Sequence, residues 1–110
     1  MIEEIIQNYL RENAFPCYLS VPEKPSGNFC VLEKTGSSYK DGIFTATLAV
    51  QSYGSSNYAA AQLSHRVVQT MLDVDTLPEI VSCTLNTDYN FPDTTRKLPG
   101  YQAVFEVVHY

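Results

Sequence analysis

Apolar residues recur along this chain with two different periods, one helical and one extended, and the switches between them lay out the elements. Between Met1 and Asn13, Ile2, Ile5, Ile6, Tyr9 and Leu10 fall at i, i+3, i+4, i+7 and i+8, with Glu3, Glu4, Gln7, Asn8, Arg11 and Glu12 opposite. That is the pattern of an amphipathic helix packed by one face. Glu3 and Glu4 suit the positive end of its dipole, and Pro16, which restricts Phe15 to extended geometry, predicts its end. Cys17 to Val21 alternates as a short strand, Pro22, Pro25, Ser26 and Gly27 make a loop, and Asn28 to Lys34 is a second strand. Thr35 to Gly42, with two Gly and two Ser, reads as a hairpin connection longer than a tight turn.

Ile43 to Ser52 carries the clearest alternation: Phe44, Ala46, Leu48 and Val50 share one face, and Thr45, Thr47 and Gln51 the other. One face packed and the other polar is the signature of an antiparallel sheet with one wet side. After a turn at Tyr53 to Ser56, with Ser55, Ser56 or Asn57 as cap, a second helix runs to Leu72. Its stripe centres on Ala60, Leu63, Val67 and Met71 and is widened by Ala61, Val68 and Leu72, with Gln62, His65, Arg66 and Gln69 opposite. Asp73 to Pro78 ends the helix, Ile80 to Asn86 is a fourth strand, and Tyr101 to Tyr110 a fifth. The order is helix, three strands, helix, two strands. It predicts a single α+β domain over residues 1–110, with an antiparallel or mixed sheet of about five strands flanked by two helices.

Composition narrows the classes of partner. Seven basic against 12 acidic residues give a formal charge of −5 without a basic stripe, which disfavours sequence-independent nucleic-acid binding through displaced phosphate counterions. Eight tyrosines and no tryptophan shift the aromatic content toward rings that tolerate a half-buried edge. The three cysteines, Cys17, Cys30 and Cys83, are odd in number, widely spaced and set in apolar or alternating segments, so they read as reduced, buried core thiols of a cytoplasmic protein. Without a CxxC or Cys/His cluster, no metal is expected. The acidic start Met-Ile-Glu-Glu-Ile-Ile and the lack of a long apolar run indicate neither export nor a membrane span.

A search for chemistry finds little. His65, expected on the polar face of its helix, and His109, beside Tyr110, have no nucleophile and orienting acid at recognisable spacing. Asp73 and Asp75 sit where a helix is ending, and the glycines are scattered through turns, outside any phosphate-binding motif. No catalytic or cofactor-binding residue is assigned. The turn-rich run Asp88 to Arg96 is different: it is long for a hairpin connection and combines acids with aromatic rings. Tyr89 is read as a subunit-contact anchor, while Phe91 reads as tucked under the loop or as a second anchor. Asp88, Asn90, Asp93 and Arg96 complete the candidate interface by offering complementary charge and hydrogen bonds.

The layout resembles the tail-terminator (tail-completion) proteins of long-tailed bacteriophages and the related minor capsid and neck proteins. The resemblance rests on the N-terminal helix ending in Tyr9-Leu10 and the strand Phe29-Cys30-Val31-Leu32 followed by Thr35-Gly36. It also includes the strand Leu48-Ala49-Val50-Gln51-Ser52-Tyr53, the Ser-led, Ala-rich helix Ser55 to Leu72, and a proline-containing loop before a final strand opening with Tyr101-Gln102. Gly100 stands where that family often carries an Arg. The resemblance implies a non-enzymatic virion protein of the tail and neck, assembled in the host bacterial cytoplasm. It would form a ring of six copies that caps the major tail tube protein, stops its polymerisation and meets the head-tail connector or stopper protein, with DNA passing through the lumen unbound. Other connector or head-completion roles, and from a different class a small cytoplasmic enzyme or ligand-binding domain, are the alternatives.

Overall fold

The computed structural model describes residues 1–24 and 27–110. Its elements are α1 (Ile2–Glu12), β1 (Cys17–Tyr18), β2 (Phe29–Lys40), β3 (Ile43–Tyr53), α2 (Asn57–Met71), a short 3-10 turn (Val74–Thr76), β4 (Ile80–Asn90) and β5 (Gly100–His109). One five-stranded sheet in the order β1-β2-β3-β5-β4 carries them. The pairs β2/β3, β3/β5 and β5/β4 are antiparallel and β1/β2 is parallel, so the sheet is mixed and the α+β class expected from the strand grouping holds.

Both helices pack on the same face. One core cluster joins Ile2, Ile6 and Leu10 of α1 and Leu63, Val67 and Met71 of α2 to Leu32, Leu48, Val50, Phe105 and Val107 of the sheet. Tyr9 links the helices: its ring is buried and its hydroxyl donates 2.7 Å to the Thr70 carbonyl near the end of α2. Arg11 and Gln7 donate to the Cys17 carbonyl at 2.9 and 3.1 Å, fastening α1 to β1. Within α2, Ser56 is the cap, accepting 3.1 Å from Ala59 N–H. In place of an apolar extension at Leu72, which is exposed, the packed face includes buried Ser64.

The end of α1 is set by more than Pro16. Phe15 N–H reaches the Leu10 carbonyl at 2.9 Å and Ala14 N–H the Arg11 carbonyl at 3.0 Å, with Ala14 left-handed at φ 70°, a Schellman closure in which alanine occupies the position glycine favours. Buried Phe15 covers this turn and carries Arg66 over its ring at 5.3 Å.

Three expectations are corrected. The first strand is only Cys17–Tyr18, because the chain bends at Leu19 and Ser20. The long hairpin connection from Thr35 to Gly42 is strand up to Lys40, closed by the two-residue turn Asp41-Gly42 with φ of 54° and 83°. Asp-Gly is among the dipeptides that a twist-matched two-residue turn favours, because both central residues take positive φ, and pairing with β3 overrides the weak strand preference of Gly36, Ser37 and Ser38. The fourth strand continues to Asn90, so Asp88, Tyr89 and Asn90 pair with Ala103, Gln102 and Tyr101 instead of opening the loop. Of the loop expected from Pro22 to Gly27, Pro25 and Ser26 lie outside the described residues.

Candidate functional site

Two parts of the sheet remain uncovered by the described residues. The first is the face opposite the helices. There Thr45, Thr47, Ala49 and Gln51 of β3 sit beside Val108, Glu106, Val104 and Gln102 of β5, because each pair is directly opposed in the register, although Ala49 and Gln102 are themselves buried. One end of this face is closed by a satellite cluster in which Phe29, Val31 and Tyr53 pack with Val21 and Leu98. The second uncovered part is the pair of edges. β1 occupies the outer side of β2 only at Cys30 and Val31, and β4 is the last strand on the other side. Both edges expose rows of backbone donors and acceptors.

A hydrogen-bonded ladder crosses the open face from one edge toward the other. Gln51 Nε2 donates to Gln102 Oε1 at 2.9 Å and lies 3.5 Å from Glu33 Oε2. Gln102 Nε2 in turn donates to the Tyr89 hydroxyl. Tyr53 steadies the middle by donating to Gln51 Oε1 at 3.3 Å, its phenol pushed above its ordinary pKa first by burial. The ladder thus runs Glu33, Gln51, Gln102, Tyr89 across β2, β3, β5 and β4. It begins on an acceptor-only carboxylate and ends on a phenol whose own proton is uncommitted in the ladder. Sequence reasoning placed Gln51 on the polar face and chose Tyr89, but missed Glu33 and Gln102. The available signal was a glutamine on the same alternating face in each of two strands, which becomes informative only when those strands are neighbours.

The β4–β5 connection is Phe91 to Pro99, and it is ordered. Asp93 and Leu98 exchange two backbone hydrogen bonds of 2.9 Å, and Gly54 N–H donates 3.1 Å to the Pro99 carbonyl. The Asp93 carboxylate accepts from Thr95 N–H and Arg96 N–H at 3.1 Å each and from Arg96 Nη1 at 2.9 Å. Hydrogen bonds from the Arg96 backbone and side chain hold its pKa below the usual carboxylate value. Asp93 and Arg96 therefore organise the loop itself. Tyr89 and Phe91 are 42% and 37% exposed and meet edge to face at 6.2 Å, an aromatic pair at the end of β4. Asp88 and Asn90 are exposed on the helix-bearing side of the strand, since they alternate with Tyr89, so the six candidate residues divide between two surfaces.

Gly100 is buried beneath this loop, and a Cβ there would lie 2.7 Å from the Phe91 carbonyl oxygen and 2.7 Å from the Tyr53 ring. No side chain fits at this position unless the Phe91 backbone or the Tyr53 ring shifts.

The remaining titratable groups are dispersed. His65 lies along the outer face of α2, where Tyr58, Ala61, Gln62 and Arg66 join it around a shallow recess of about 540 Å³. His109 stacks on Phe44 at 5.3 Å. The cysteines are free; Cys17 and Cys30 are buried, whereas Cys83, also expected as a buried core thiol, is half-buried. Burial pushes the Cys17 thiol up to about 11 and the Cys30 and Cys83 thiols up to about 12. Among the described residues no three His, Cys, Asp or Glu side chains are grouped to hold a metal ion, and no helix is long and apolar enough to cross a membrane.

The chain matches no family model and no curated protein sequence.

Proposed function

We propose that this protein is a structural subunit of a phage tail, a terminator that assembles as a closed ring on the end of the tail tube and stops its growth. The observation that carries the reading is a sheet that the described residues finish on one face only and leave open along two edges that lie on opposite sides of the subunit. A subunit with two different free edges is suited to head-to-tail contacts, which close into rings when the rotation between copies allows. The resemblance to tail terminators adds six copies, the major tail tube protein below and the connector or stopper protein above. The open face, with threonines, glutamines, Glu33 and Glu106, suits a wall past which DNA moves without being held, because it offers little for phosphates to bind. Termination is then steric: one ring face matches the last tube ring and the other does not support further addition.

The test is assembly on purified tail tubes. Negative-stain imaging should show a single ring at one tube end, and adding the protein during tube polymerisation should narrow the length distribution. An obligate two-fold dimer that leaves tube ends bare and lengths unaltered would overturn the reading.

A further inference from the structure

The open-face ladder and the two sheet edges specify how one copy meets the next. Three antiparallel steps separate β2 from β4, so the two edge strands run in opposite directions. When a second copy repeats in the same orientation, its β4 therefore arrives antiparallel to β2, as a regular ladder requires. Side chains must also match by face. On β2, Glu33 lies on the open face and Lys34 on the helix side; on β4, Tyr89 lies on the open face and Asp88 on the helix side.

The geometry points to an intermolecular antiparallel pairing of β2 with β4 of a second copy, in which Glu33 faces Tyr89 and Lys34 faces Asp88. Two separate features select this one register. On the open face, the end of the ladder with an uncommitted phenol proton meets the end whose carboxylate has acceptor sites beyond the one facing Gln51, so Tyr89 of one copy donates to Glu33 of the next and the ladder continues from subunit to subunit. On the helix side, a lysine meets an aspartate, and Lys34, 3.8 Å from Glu3 of its own chain, bridges the two acids. Bulges support the fit: β2 is irregular between Lys34 and Gly36 and β4 between Leu85 and Thr87, one extra residue on each strand. They offset each other, so Ser38 faces Thr84 in the same register that pairs Lys34 with Asp88. The contact ends where β1 already occupies β2. Tyr39, 62% exposed in the isolated chain, gains a neighbour in the half-buried Cys83.

This pairing rests on the proposed ring, and the test separates the two. Ser38→Cys protein is mixed with Thr84→Cys protein under mild oxidation at ring-forming concentration, with folding checked by circular dichroism. A disulfide between the two variants, absent from either alone, is expected. Asp88→Lys should abolish it and Asp88→Lys with Lys34→Asp should restore it. Tyr89→Phe should weaken self-association roughly tenfold, as expected for a hydrogen bond to a charged acceptor. Closed rings without the mixed disulfide would overturn the strand pairing and leave the ring reading intact. The mixed disulfide in open strings that never close would do the reverse. A disulfide from Ser38→Cys alone, in protein that also carries Cys83→Ser so that the native thiol beside Thr84 is removed, would mean two-fold pairing and overturn the inference.

Discussion

Replacing Gly100 with alanine should loosen the β4–β5 loop and destabilise the fold, although the change adds only one methyl group. The new Cβ would lie 2.7 Å from the Phe91 carbonyl oxygen and 2.7 and 2.8 Å from two Tyr53 ring carbons, well inside the 3.4 Å at which ordinary contact begins. Neither neighbour yields easily. Phe91 is held by its N–H, which donates 2.8 Å to the Gly100 carbonyl, and the Tyr53 ring is packed 5.3 Å from Phe29 in the satellite cluster. Overpacking a filled site costs about 1 to 3 kcal/mol, and disturbing the Phe91–Gly100 bond adds about 0.5 to 1.5 kcal/mol. A loss of about 1.5 to 4.5 kcal/mol follows, equivalent to a melting drop of roughly 6 to 30 °C for a domain of this size. Urea titration and thermal circular dichroism measure it, and amide exchange at Phe91, Asp93 and Leu98 should rise before global unfolding. A Gly100→Ala protein within about 0.5 kcal/mol of the parent, a change typical of an open surface site, would refute the steric argument.

Other outcomes follow from the core and the titrating groups. Leu48→Ala and Val67→Ala, both fully buried in the main core, should each lower stability, Leu48→Ala by about 3 kcal/mol and Val67→Ala by somewhat less because fewer atoms are removed, as read from urea midpoints at unchanged slope. Asp93→Asn should speed amide exchange at Thr95 and Arg96 at neutral pH. Because the folded pKa of Asp93 is lowered, its charge-dependent stabilisation is present above the ordinary carboxylate value and fades as pH falls through the lowered one, so parent and variant should converge in acid. With their pKa values raised, the three cysteines should react slowly with a thiol reagent at pH 8 and rapidly after urea unfolding; fast labelling of Cys17 or Cys30 in the native protein would contradict their burial.

Periodicity in the chain was enough to determine both helices, the packed face of β3 and the α+β class, because each depends on spacing within one segment. Ile2, Ile6 and Leu10 line up on α1 whatever they meet, and Ala46, Leu48 and Val50 fall on the packed face of β3 whichever strands lie beside them, whereas Phe44 of the same expected face is exposed. Strand ends were a different matter. Gly36, Ser37 and Ser38 look like a loop in isolation and become strand because β3 satisfies their backbone, and Asp88 to Asn90 become strand because β5 does. The candidate site depends on tertiary structure for the same reason. Glu33, Gln51, Gln102 and Tyr89 are up to 69 residues apart in the numbering, and only the order β2-β3-β5-β4 sets them in one row. Asp93 shows the converse: its charge was plain in the sequence, but the backbone amides that claim its carboxylate are positioned by the folded loop. Local patterns carry the geometry of one element, whereas a row of hydrogen bonds across four strands exists only once chain closure has placed those strands side by side.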